Sequence, residues 1–246
     1  MEKLDNLSNY ELAKLAVDFF HRTALHYGMW FSEVNHQLGL DETLQTEGEV
    51  YSQYLLLMFD RLSRKLGFEL NQELPAPLVN MPRDRLIALI DVQAANWLAE
   101  DGLWFQAVEK RQEMFTAKRC NDTCWSRFSP FEACSIKRLI SLQEKGGLDA
   151  LETALGYRLY SRVNIQSTER QGNSLIFKMV NCRVQDARNR KGMEDYPCKS
   201  AGVVEYSSFA RAIDPRIKTE CIACPPDAHP REWFCAWRFY IPEEAK

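Results

Sequence analysis

The stretch CKSAGVVEYSSFARAIDPRIKTECIACPPDAHPREWFCAWRFY, residues 198–240, decides the fold. Its thiols follow the pattern Cys198-x22-Cys221-x2-Cys224-x10-Cys235. A CxxC turn set between two distant cysteines can bring four thiolates around one metal ion, the ligand set of structural zinc. Cys198 to Ile213 reads as a helix, with Val203, Val204, Tyr206 and Phe209 among polar positions, and Asp214-Pro215 breaks it. Ile217 to Ile222 and Trp233 to Ile241 read as two strands joined across the CxxC turn. A metal held by Cys198, Cys221, Cys224 and Cys235 would tie a helix start, a loop and the terminal strand together. Four thiolates leave zinc no open position, so the expected role is structural.

Rival readings use the same residues. An iron–sulfur cluster also takes four thiolates. Cys221 and Cys224 could form a redox dithiol, though no βαβ pattern surrounds them. His229, five residues after Cys224, could replace one thiolate. Cys120, Cys124, Cys134 and Cys182 read as small, half-buried thiols, the first two sharing a helix face.

Upstream of the quartet, Tyr157 to Thr168 is rich in β-formers and alternates. Tyr157, Leu159, Ser161, Val163 and Ile165 fall on one side, and Arg158, Tyr160, Arg162 and Asn164 on the other. Arg170 to Asn173 supplies a turn, and Ser174 to Asn181 is the expected return strand. Cys182 to Lys191 reads as a short basic helix stopped by Gly192. Arg158 and Arg162 on one strand face, with Arg183 on the following helix, suit a carboxylate or phosphate ligand. Tyr160 and Trp104 could supply its apolar wall, joined by Trp125. A solvated charged face accounts for the same arginines.

The first half reads as helical. Leu12, Leu15, Ala16, Phe19, Phe20, Tyr27, Trp30, Phe31 and Val34 form an i, i+3, i+4 stripe. A second helix is expected from Val50 to Leu66, and Asn71 to Arg85, with Pro75, Pro77 and Pro82, reads as a linker or ordered turn. Tyr27-Gly28-Met29-Trp30-Phe31 then returns as Asp101-Gly102-Leu103-Trp104-Phe105, with Tyr51 and Tyr54 answered by Trp125 and Phe128. The repeat suggests a degenerate duplication of a helical hairpin, the two copies packing through their Trp-Phe pairs. Chance similarity of two amphipathic hairpins gives the same pattern. A short helix from Leu148 to Leu155 follows Gly146-Gly147. Glu33-x-x-His36, beside His21 and His26, has di-iron spacing but no second copy, which favours a solvated face.

The expected class is α+β: a helical N-terminal half with duplicated hairpins, then a small antiparallel sheet with helices. The boundary is expected between a hairpin region, 1–75, and a second domain, 76–246. With 246 residues, 46% hydrophobic, and a net charge of −3, nothing points to nucleic acid or anionic lipid. No apolar run reaches membrane-spanning length, and the N-terminus lacks a signal-peptide pattern, so a cytoplasmic location is expected. Eight cysteines there would stay reduced. No G-x-S-x-G, phosphate loop, GxGxxG or HExxH occurs.

The cysteine arrangement resembles the 4-vinyl-reductase-type domain, which shares its fold with haem-NO-binding domains and transport-particle components. In that family a helix opened by a cysteine leads to a strand, an acidic residue or cysteine, a nearby cysteine, and a last cysteine in the final strand. Cys198, Cys221-x-x-Cys224 and Cys235 match, Cys221 standing where phenol-responsive sensor domains carry Glu. The ending Cys235-Ala-Trp-Arg-Phe-Tyr-Ile is similar to the family's Cys-x-Phe-x-Ile strand. The likeness covers roughly residues 146–241 and implies zinc at these positions; the gap before Cys235 is longer than in the sensors. The whole chain also resembles an uncharacterised family of bacterial cytosolic proteins near the L-2-amino-thiazoline-4-carboxylic acid hydrolase family. Asp101 to Phe105, Arg158 to Arg162, Asn181 to Gln185 and Asp214 to Lys218 carry that likeness, and the long helical N-terminus departs from it. These resemblances imply a zinc-containing small-molecule-binding or regulatory protein. The alternatives are a hydrolase of a small carboxylated heterocycle, or a homodimeric interaction module.

Overall fold

The computed structural model describes residues 4–190, 192 and 194–242. The chain divides into two units, Met1–Pro75 and Ala76–Lys246. The first is a helical hairpin. Helix α1 (Asn9–Leu38) opens on a capping box in which the Glu11 amide donates to Ser8 Oγ and the Ser8 amide to the Glu11 carboxylate. Gly39, at φ 87°, ends α1 and starts α2 (Leu40–Leu66) in a single residue. That backbone conformation favours glycine, which is why the reversal can be so short.

Helix α2 begins ten residues before the expected Val50. Its first turns are polar and show no apolar stripe, but Asp41 and Glu42 complement the positive helix end. The two helices run antiparallel: Tyr27 packs on Tyr54 at 6.2 Å between ring centroids and donates to Glu47 Oε1 at 3.2 Å. After Gly67, strands β1 (Leu70–Asn71) and β2 (Leu74–Pro75) form a small antiparallel pair.

In the second unit, the proline-rich stretch contains the one-turn helix α3 (Ala76–Val79), and Pro82 caps α4 (Arg83–Arg111). Helix α5 (Met114–Ile140) returns antiparallel, with Trp97 packed edge-on to Trp125 and flat on Phe128, both at 5.9 Å. The two hairpins with similar sequence are thus α1–α2 and α4–α5, one in each unit. Their Trp-Phe motifs are not buried cores: Trp30 and Trp104 are 62% and 64% exposed.

The expected strand from Tyr157 is absent. Helix α6 (Gly147–Tyr157) runs through its start, Arg158 is extended, and α7 (Tyr160–Val163) adds another turn before β3 (Ile165–Gln171). The alternation does not become two faces: Arg158 and Asn164 are buried, while Arg162, expected on their side, is exposed. Arg158 is buried, whereas Tyr157 and Ile165 face water. Two carboxylates inside the fold make the arginine the inward residue.

Strand β4 (Ser174–Asn181), helix α8 (Arg183–Asn189), helix α9 (Lys199–Ile213), strand β5 (Lys218–Ala223) and strand β6 (Cys235–Tyr240) complete the fold. They follow the expected order closely. The sheet is antiparallel in the order β3-β4-β6-β5. Central strands β4 and β6 carry the apolar face, and α9 lies against it. Phe177, Trp237 and Phe239 from the sheet meet Tyr206, Phe209 and Ile213 from the helix. Helices α5 and α6 add Ile136, Leu151 and Leu155 to the same core.

Asp214 caps this assembly. It is fully buried at the end of α9 and accepts from the Gly147 amide at 3.0 Å and from Arg216 Nη2 at 2.6 Å. Hydrogen bonding from Arg216 holds its carboxyl down at about 2. The Asp-Pro-Arg stretch therefore joins the start of α6 to the end of α9.

Gly202 sets how closely α9 approaches the sheet. A Cβ there would lie 2.7 Å from Trp237 Cζ2 and 3.7 Å from Cys224 Sγ. Trp237 is 1% exposed and has no room to retreat. Gly202→Ala gains about 1 kcal/mol of helix propensity but overpacks a filled core at a cost of about 1–3 kcal/mol. The expected result of thermal unfolding followed by circular dichroism is a lower midpoint for Gly202→Ala.

Candidate functional site

The thiols gather where α9 begins. Cys198 is the N-cap of α9, and its Sγ lies 3.6 Å from Sγ of buried Cys224. The contact is held from both sides. The Lys199 amide donates to the Pro225 carbonyl at 2.9 Å, fixing the CxxC loop to the helix start. Gln185, buried on α8, exchanges two hydrogen bonds with the backbone of Tyr196 and places Nε2 3.5 Å from Cys198 Sγ. Cys224 sits between Cys198 and Cys235, and hydrogen bonding to these two, with burial, pushes its thiol far up. The same contact from Cys224 pulls Cys198 down, aided by Gln185. Within this pair Cys198 is the more acidic thiol.

Cys221 stands opposite Trp237 in the β5–β6 ladder, so it shares the sheet face of Cys235, two residues from Trp237. It is half-buried, and burial raises its thiol. A fifth cysteine, Cys182, caps α8 and lies within charge range of Cys198 and Cys235. Burial pushes it up to about 12. Cys120 and Cys124, expected to be half-buried, are exposed on α5.

Zinc bound by thiolates at about 2.3 Å has tetrahedral edges of about 3.8 Å between sulfurs. The Cys198–Cys224 separation fits such an edge, Cys235 adjoins it, and the soft donor set suits zinc. Beyond that pair the site is not assembled: among the described residues, no three or more His, Cys, Asp or Glu side chains are grouped so as to hold a metal ion. His229 takes no part in the cluster. Its Nε2 lies 3.1 Å from Asp195 Oδ2, and its Nδ1 lies 2.9 Å from the Pro230 carbonyl.

A second constellation lies in the interior. Arg158 is 1% exposed; its Nε donates to Glu132 Oε2 at 2.8 Å, and its Nη1 lies 2.7 Å from Glu205 Oε1. Glu132 also accepts the Leu159 amide at 2.9 Å. The guanidinium lies 4.6 Å from the ring centre of Phe209, with Tyr206 and Tyr160 near. Its Nη2 has no hydrogen-bond partner among the described residues. Tyr160 stacks on Trp125 at 5.5 Å and meets Trp97 edge-on at 4.9 Å. Asp101 on α4 lies within charge range of both Glu205 and Tyr160. Burial raises Asp101 to about 6 and Glu205 to about 7, the latter despite its guanidinium partner.

The expected arginine cradle is not assembled. Arg158 and Tyr160 do meet, but Arg162 pairs with Asp91 on α4 at 2.6 Å. Arg183 is an exposed residue at the start of α8, and Trp104 faces water. The strand face that would have aligned Arg158 and Arg162 does not exist. Sequence reasoning missed Glu132, Glu205, Asp101 and Trp97. Glu205 had a readable signal: it falls on the face of α9 that also carries Ala201, Gly202 and Phe209. An acidic side chain at an inward helical position needs a buried cation.

The chain belongs to the family of unknown function DUF6125, which it matches over residues 79–241. That stretch runs from the end of α3 through β6 and contains both constellations; the α1–α2 hairpin lies outside it. No curated protein matches the chain, and no solved structure does.

Because Glu205 is raised to about 7 in the fold, the folded protein keeps a proton that the unfolded chain loses near 4.5. Its contribution to stability is complete below that range and is lost as pH rises through about 7. Chemical denaturation between pH 5 and 8 should show stability falling over this interval. Glu205→Gln should flatten the slope; an unchanged slope would remove Glu205 as its source.

Proposed function

We propose that residues 76–246 form a zinc–thiolate domain of the vinyl-reductase-like type, which serves as a small-molecule-binding or regulatory module. The observation that carries the reading is the 3.6 Å approach of Cys198 to Cys224, with Cys235 adjoining. The order of α9, β5 and β6, with Cys198 at the helix start and Cys235 in the last strand, supports the fold likeness. Cys198, Cys224 and Cys235 would be three ligands, with Cys221 as the fourth and Cys182 its competitor. Zinc would supply a compact positive centre that neutralises the thiolates and ties α9 to β6. Gln185 would orient Cys198 through its side-chain amide.

The ligand part of the reading is supported by the interior layer. An unpartnered guanidinium nitrogen on Arg158 can take an oxygen acceptor, such as a carboxylate, and Trp97, Trp125 and Tyr160 offer flat apolar surface. Native mass spectrometry of the purified chain should show one zinc per chain, displaced by chelator together with a drop in thermal midpoint. Cys224→Ser should lose the metal. Comparing Cys221→Ser with Cys182→Ser identifies the fourth ligand. A metal-free protein of unchanged stability, or a brown iron–sulfur chromophore, would overturn the zinc assignment. An organic mass retained at the interior layer should be lost in Arg158→Met.

One observation favours a second reading, hydrolysis of a small carboxylated heterocycle. Asp101 and Glu205 are raised to about 6 and 7 beside a buried arginine, the range in which a carboxyl can exchange protons at neutral pH. Turnover of 2-amino-thiazoline-4-carboxylate, abolished or reduced about 100-fold or more in Glu205→Gln, would support it. No turnover by the zinc-loaded protein would sink it.

A further inference from the structure

The first unit lacks an interior of its own. Among its described residues, the buried ones are Thr43, Glu47, Gly48 and Pro75, none of them a large aliphatic or aromatic side chain. Helix α1 is 30 residues long and buries none of them. Its apolar stripe nevertheless continues beyond the part that Tyr27, Phe31 and Val34 occupy near the reversal. Phe19, Phe20 and Trp30 on α1 are 53%, 61% and 62% exposed, and Val50, Tyr54 and Leu57 on α2 are 46%, 37% and 52% exposed. Helices of this kind draw most of their stability from a covered apolar face, so a hairpin this bare needs a cover.

We propose that the cover is a second copy of this chain, whose α1–α2 hairpin packs antiparallel on the first to form a four-helix interface. Area is the first argument. The six residues named above expose roughly 600 Å² of side chain, taking ~150–250 Å² for a whole aromatic residue. A standard interface buries about 800 Å² per partner, of which about 60% is apolar, or roughly 500 Å². The stripe meets that requirement.

Charge is the second argument. Helix α2 carries exposed Asp41, Glu42 and Glu49 in its first ten residues, and Arg61, Arg64 and Lys65, against the single acid Asp60, near its end. An antiparallel pair of α2 helices lays the acidic end of each on the basic end of the other, a self-complementary pattern under two-fold symmetry. Helix α4, another long helix with exposed apolar residues, lacks the matching gradient: it opens on Arg83, Asp84 and Arg85 and closes on Lys110 and Arg111.

Size-exclusion chromatography with light scattering on the full chain tests this. The expected mass is that of two chains. Phe20→Glu with Trp30→Glu should give a monomer, whereas Trp104→Glu on α4 should leave the dimer intact. Charge reversal by Arg61→Glu with Lys65→Glu avoids the apolar face. It should raise the dissociation constant tenfold or more, with helical content by circular dichroism unchanged. A wild-type monomer with full helical content would overturn the proposal. A dimer indifferent to the α1 and α2 substitutions would equally overturn it.

Discussion

A guanidinium shut away from water must find its carboxylates within the fold, and Arg158 finds them on two helices that are distant in sequence. Glu132 comes from α5 and Glu205 from α9, while Arg158 itself follows α6. The second unit's helical layer meets at this ion cluster. Breaking such a cluster by removing one partner costs about 3–5 kcal/mol, because the remaining charges stay buried. The cluster also explains local conformation. Once Arg158 turns inward, the residues after it are carried over α4 and α5, where Tyr160 stacks on Trp125 and Arg162 reaches Asp91. The sheet begins only after that docking is complete.

The thiol cluster depends on the same helix. Helix α9 presents Glu205 to Arg158, Phe209 to the guanidinium face, Gly202 to Trp237 and Cys198 to the CxxC loop. Shifting α9 along its axis would disturb the ion cluster and the thiols together. Asp214 fixes one end of the helix and the Lys199–Pro225 backbone bond the other. Hydrogen bonds at both ends and packing along its length therefore hold α9 in place.

The C-terminal third was the most legible part. Cys198 at a helix start, Asp214-Pro215 at its end and Cys235 inside the last strand all stand where the residue pattern puts them. Helix α9 and strands β4 and β6 turn most of their apolar residues inward, while Val203 on α9 and Ile222 on β5 face water. The Arg158 segment was not legible in the same way. Alternation of large and polar residues is a sound sign of a strand only when the polar residues face water. Here a buried carboxylate pair, contributed 26 residues before and 47 after, turned Arg158 inward and broke the strand before it started. Helix α2 was read short for a different reason: its first two turns owe their helicity to a glycine reversal and acidic residues at the positive end, and apolar periodicity records neither.

By itself, the sequence determined the element order, the mixed helical and antiparallel composition, and the set of thiols available to a metal. These follow from local periods, turn residues and spacing, which act over a few residues at a time. Only the tertiary structure decided which charged residues went inside. It also decided that Cys182 joins the thiol neighbourhood, and that the arginines serve the fold separately instead of converging on one cradle. The cost of burying a charge depends on what else is buried beside it, and that is a property of the assembled helices and sheet.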